Sequence, residues 1–117
     1  MRNSEVKTCP IVDQIGVPAL LEQMAEECCE LAQACLKMAR KLRDENPTPK
    51  SIEDIRDNLV EEIADVELCR IYLTEIGMID NPETYSVVHE KEERWQKRLN
   101  LHLGLEEIEE DDVIYSD

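Results

Sequence analysis

Two short runs of acids carry the chemistry in this sequence. Glu26-Glu27-Cys28-Cys29-Glu30 and Glu61-Glu62-Ile63-Ala64-Asp65 each set two carboxylates three residues apart, which on a helix places them on one face, a single turn from each other. At roughly 100° per residue, Glu62 points into the middle of the arc formed by Ile55, Leu59, Val66, Cys69 and Leu73, so a charge interrupts an apolar seam. Glu27 and Glu30 border the apolar face of their own segment beside Leu20 and Ala34 without standing at its centre. Acidic pairs at this spacing are common on solvated surfaces. Two pairs at matched heights, one of them on a seam, are not. Carboxylates that converge repel one another unless protons or cations intervene. All-oxygen ligation without His or Cys is the chemistry of a hard cation, Mg²⁺ or Mn²⁺, and Mg²⁺ keeps water positions that phosphates can occupy.

The pairs meet only if the intervening chain turns back. The first helix is expected to open after Gly16-Val17, with Pro18 in its first turn, and to run to about Asp44. Leu21, Cys28, Cys35 and Leu42 recur every seven residues, with Met24, Leu31 and Met38 between them, and this reads as its packing seam. Glu45-Asn46-Pro47-Thr48-Pro49-Lys50 breaks the pattern, because neither proline suits a helix interior. Ser51 is then an N-cap, Glu53 and Asp54 answer the helix dipole, and the second helix should end near Gly77. Glu30 lies about 14 residues, or ~21 Å, before the end of the first helix, and Glu62 about 11 residues, or ~17 Å, after the start of the second. An antiparallel hairpin therefore brings the four acids to nearly one level. Asp80-Asn81-Pro82-Glu83 opens a third helix carried to about Leu101 through Val87, Val88, Trp95 and Leu99. The expected division is a lead over 1–17, a helical domain over 18–101 and an acidic tail over 102–117.

Composition agrees with an all-α fold. The chain of 117 residues has no Phe, one Trp, three Gly and 35% charged residues, which supplies helix surfaces and little of the turn chemistry that sheets need. Its seams exceed what one partner helix covers, so a four-helix bundle completed by a homodimer or homotetramer is expected. The net charge of −15, from 28 acids against 13 bases, argues against nucleic acid or anionic lipid as a partner. No apolar run approaches membrane-spanning length. Five cysteines without CxxC spacing and an N-terminus MRNSEVKTCP without an apolar segment suggest a reduced, cytoplasmic protein whose helical cysteines are small buried hydrophobes. A di-iron bundle would need Glu-x-x-His, which is absent.

Glu26-Glu27-x-x-Glu30 followed by Glu62-x-x-Asp65 resembles the motif of the MazG-like all-α nucleoside triphosphate pyrophosphatase superfamily, which also includes the dimeric dUTPases and dCTPases. AEECCELAQACLKMARKLR, NLVEEIADVELC and KEERWQKRL are similar to its metal-bearing and closing helices, so the resemblance spans roughly 18–101. It implies hydrolysis between the α and β phosphates of a nucleoside triphosphate (NTP or dNTP), giving monophosphate and pyrophosphate. It also implies Mg²⁺ held by Glu27, Glu30, Glu62 and Asp65, with Glu26 or another carboxylate free of metal accepting the proton of the attacking water. Lys37 and Lys41 lie near the Glu30 face, and Lys91, Arg94 and Arg98 form a basic stripe similar to the family's cations there, all candidates for phosphate contacts. Tyr72 is a candidate to stack on a base. The other reading of the same residues is a non-enzymatic, acidic helical interaction protein.

Overall fold

A computed structural model describes residues 9–44 and 48–105. Among these the chain is all-helical, with α1 (Pro10–Ile15), α2 (Val17–Arg43), α3 (Ile52–Glu75) and α4 (Asn81–His102). They fall into two compact units, Met1–Met78 and Ile79–Asp117. The segments 45–47 and 106–117, which include most of the expected acidic tail, lie outside the described residues.

In the first unit α2 packs on α3 and α1 on α2. α1 is an element the sequence reading lacks. Pro10 occupies its first turn, Cys9 and Val12 are buried, and Gly16 at φ 89° separates it from α2, a conformation that glycine adopts without steric cost. At six residues it shows too little periodicity to be read as amphipathic. α3 begins as expected. Ser51 accepts a hydrogen bond from the Asp54 amide at 3.1 Å, with Glu53 and Asp54 in the first turn. Its end is a Schellman arrangement, with Gly77 at φ 80° donating to Thr74 and Met78 donating to Leu73.

The seam of α2 differs from the expected one. Leu20 and Ala34 are buried, whereas Leu21, Cys28, Cys35 and Leu42 are exposed, Leu42 by 69%. The buried column is one residue earlier, running Leu20, Glu27, Ala34, Lys41, with Met24, Leu31 and Met38 half-buried beside it. Two of the four helical cysteines expected in the core, Cys28 and Cys35, thus fall on the outer column, and Cys29 is exposed as well. Only Cys69 joins Cys9 inside. On α3 the buried residues are Ile55, Cys69 and Leu73, on the arc read from the sequence.

The second unit holds α4, capped by Asp80, which accepts from the Glu83 amide at 2.7 Å. It ends one residue beyond Leu101, in a second Schellman arrangement at Gly104. Val87, Val88, Trp95 and Leu99 are all exposed on it. Among the described residues no helix is long and apolar enough to cross a membrane.

Candidate metal centre

Seven residues are two helical turns less about 20°, so residues seven apart share a face. On α2, Leu20 and Ala34 stand seven residues either side of Glu27 and are 2% and 1% exposed. On α3, Ile55 and Cys69 stand seven either side of Glu62 and are 2% and 6% exposed. Each glutamate thus occupies the middle of a buried column, and each is half-buried. This corrects the sequence reading for Glu27, which is central and not marginal, while Glu62 stands where it was expected.

The packing of α2 on α3 brings these two side chains together. Glu27, Glu30 and Glu62 each offer a carboxylate oxygen within 4.8 Å of the others. Glu30 comes from the exposed margin of α2 and completes the set. Asp65 is half-buried and stands outside this group of three, yet it is close enough to help raise the pKa of Glu62. Glu27 and Glu30 share a similar carboxyl contact. Carboxylates this close repel one another unless a proton or a cation intervenes.

The electrostatics follow. Glu30 titrates above the usual carboxylate range, first because of its hydrogen bond to Glu27 and the Glu27 charge, then because of Glu62, burial and Asp65. Glu62 is also raised, first by loss of solvation, then by its bond to Asp65 and the charges of Asp65, Glu27 and Glu61. The Cys69 thiol beneath is pushed up by burial, with Glu27, Asp65 and Cys28 adding to it. Glu27 Oε2 accepts a 2.7 Å bond from Gln23 Nε2. Its Oε1 is buried and receives no donor among the described residues. A buried carboxylate oxygen without a donor carries a full desolvation cost. The donor set, all carboxylate oxygen, fits a hard divalent cation.

The remaining sequence candidates are placed variously. Glu26 is exposed, one position round the helix from Glu27. Lys37 lines a cavity near the loop that joins α2 to α3. Lys41 is half-buried, and its Nζ donates to the Thr48 carbonyl at 3.5 Å. Tyr72 is half-buried, seven residues and about 10 Å along α3 from Asp65. Lys91, Arg94 and Arg98 lie on α4 in the second unit, Lys91 beside a groove lined by Ile79, Val87 and Val88. Sequence reasoning missed Gln23, although its i, i+4 spacing to Glu27 signals the contact. It also missed Arg40, Lys50 and Asn58, which the packing of α2 on α3 and residues 48–50 bring to one cavity.

The chain matches no protein-family model, no curated protein and no solved structure.

Proposed function

We propose that the chain is a Mg²⁺-dependent nucleoside triphosphate pyrophosphohydrolase of the MazG-like kind, converting an NTP or dNTP to its monophosphate and pyrophosphate. One observation carries the reading: Glu27 and Glu62, each central to a buried column, meet with Glu30 inside 4.8 Å. Such convergence is unfavourable for a merely structural surface and favourable for a cation site.

Glu27, Glu30 and Glu62 would hold the metal, with Asp65 beside them and Mn²⁺ able to substitute. When bound, Mg²⁺ supplies neutralisation of phosphate charge and a more acidic water. The chain's own part is to hold the carboxylates at fixed height, and to supply a proton acceptor. In the reaction a bond forms from the water oxygen to the α phosphorus and the α–β bridging bond breaks. The electron pair departs with pyrophosphate, and the water proton passes to Glu26 or another carboxylate free of metal. The antiparallel α2/α3 hairpin is completed by a second copy of the chain, a homodimer or homotetramer, in a cytoplasmic housekeeping role for the nucleotide pool. The exposed apolar residues Leu21, Leu36, Val60, Ile63 and Leu68 on α2 and α3 support such association.

The same exposed residues favour one rival, a non-enzymatic helical interaction protein. A panel of NTPs and dNTPs with Mg²⁺, resolving monophosphate plus pyrophosphate from diphosphate plus phosphate, decides between them. Pyrophosphate release that disappears in Glu62→Gln is the expected result. No turnover across the panel, or formation of diphosphate, refutes the proposed reaction.

A further inference from the structure

Two turns from the carboxylates, toward the loop between α2 and α3, the charge reverses. A cavity of about 220 Å³ lies between the last third of α2, residues 48–50 and the start of α3, and Lys37, Arg40, Lys50, Asp54, Ile55 and Asn58 line it. One water needs about 10–15 Å³, so the cavity has room for a larger guest. It faces three cations and one carboxylate in a chain whose net charge is −15.

Ordinary helix electrostatics account for only part of this grouping. Arg40, Lys41 and Arg43 fall in the last turn of α2, where positive charge complements the dipole. Lys41 is further occupied by the Thr48 carbonyl. Lys37 lies before that turn, and Lys50 lies on the loop. Asp54, for its part, belongs to the first turn of α3, where the dipole favours an acid. Among the described residues, Lys37, Arg40 and Lys50 make no ion pair, even with Asp54 on the same cavity wall.

The cavity is also aligned with the carboxylates. Lys37 is seven residues after Glu30 and Ile55 seven before Glu62, about 10 Å along each axis. Asn58 is one turn from Glu62 and bridges the interval on α3. Side chains lean toward the N-terminus of their helix. Lys37 and Arg40 on α2 therefore lean toward the level of Glu62, and Glu62 on α3 leans toward theirs, whereas Glu30 and Asn58 lean away by the same rule.

We propose that this cavity holds the β and γ phosphates of the substrate, and so binds the departing pyrophosphate. This rests on the pyrophosphohydrolase reading of the carboxylate centre. Arg40 supplies a planar fork for phosphate oxygens, Lys37 and Lys50 supply point charges, and Asn58 an amide donor. Selection for a triphosphate over a monophosphate then comes from the cavity and not from the metal ligands.

The test is calorimetric titration of the metal-free protein with inorganic pyrophosphate, comparing wild type with Lys37→Met, Arg40→Met and the double variant. Methionine keeps the apolar stem of each side chain, and Lys50→Ala, on the loop, probes the cavity without touching either helix. Pyrophosphate affinity should fall about tenfold for each cation removed. Product inhibition by pyrophosphate in the NTP assay should weaken by the same factor, while the Mg²⁺-induced rise in Tm is unchanged. No binding by wild type, or binding equal in all five proteins, overturns the inference even when NTPs are hydrolysed. Pyrophosphate binding that depends on Lys37 and Arg40 in a protein that hydrolyses no NTP supports the anion cavity and removes the reaction instead.

Discussion

Replacing Glu62 by glutamine tests the carboxylate centre with little change of shape, and the expected effects have opposite signs with and without metal. Without divalent cation, Glu62 is an acid in the centre of a buried column, with Asp65 raising its pKa and Glu27 and Glu30 facing it. The amide removes that charge and can donate to Asp65. Metal-free Glu62→Gln should therefore melt above wild type. With Mg²⁺ the order reverses. At a free Mg²⁺ concentration about one hundred times its Kd, mass action stabilises wild type by about 2.7 kcal/mol. For a chain of 117 residues this is a rise of roughly 10 °C in Tm. Loss of one of three converging ligands should weaken the metal by at least the roughly 100-fold seen for disrupted supporting shells. The same Mg²⁺ concentration then contributes only about 0.4 kcal/mol, a rise of roughly 2 °C. Thermal scans of both proteins in chelator and in Mg²⁺, with the exposed neighbour Glu61→Gln as control, read all of these. A Glu62→Gln protein that melts lower in chelator and keeps the full Mg²⁺ rise refutes both the strain and the ligation.

Three further outcomes are expected. Because the folded protein raises the pKa of Glu30 and Glu62, it binds protons more tightly than the unfolded chain. Metal-free stability should consequently fall as pH rises from the unfolded carboxylate range, near 4.3, through the raised folded values, then level off; urea titrations in chelator from pH 4 to 8 that show a gain across that window contradict the arrangement. Leu20→Ala, at a buried site, should cost about 2–5 kcal/mol by urea denaturation, whereas Leu42→Ala should leave the isolated fold nearly unchanged because Leu42 is 69% exposed. Equal losses would return Leu42 to the seam. Ser51→Ala should cost about 1 kcal/mol and Ser51→Gly only a few tenths, measured the same way, since the lost group is the hydroxyl that caps Asp54; equal stability of wild type and Ser51→Ala removes the cap.

Local signals were legible in the sequence where the chemistry is local. Ser51 caps α3 as expected, the expected start signal at Asp80-Asn81-Pro82-Glu83 opens α4 with Asp80 as its cap, and α3 ends near Gly77 as expected, with Gly77 at φ 80°. The acid pairs were legible for the same reason, because i, i+3 spacing needs nothing beyond the helix itself. α1 was not, since six residues held by Cys9 and Val12 against α2 depend on that contact and not on propensity. The cavity around Arg40, Lys50 and Asn58 was equally hidden. Its residues are ordinary surface types, and only the packing of α2 on α3 together with residues 48–50 gathers them.

The misplaced seam of α2 is the more instructive failure, because apolarity pointed to a real surface and the wrong partner. α2 carries two adjacent heptad columns, Leu21, Cys28, Cys35 and Leu42 beside Leu20, Glu27, Ala34 and Lys41. A ranking by hydrophobicity selects the first. The fold buries the second, at Leu20 and Ala34, and tolerates its two charged members only with particular neighbours: Lys41 bonds the Thr48 carbonyl, and Glu27 meets Glu30 and Glu62. A column half charged is a poor core by itself, and its charged members, Glu27 and Lys41, are only half-buried. The apolar column is left exposed. On α3 the two criteria agree better, since Ile55, Cys69 and Leu73 on the expected apolar face are buried around the single Glu62, although Ile52 and Ile63 of that face are exposed. The discrepancy on α2 therefore marks Glu27, the residue hydrophobicity ranked as marginal, as the position where packing and chemistry compete most directly.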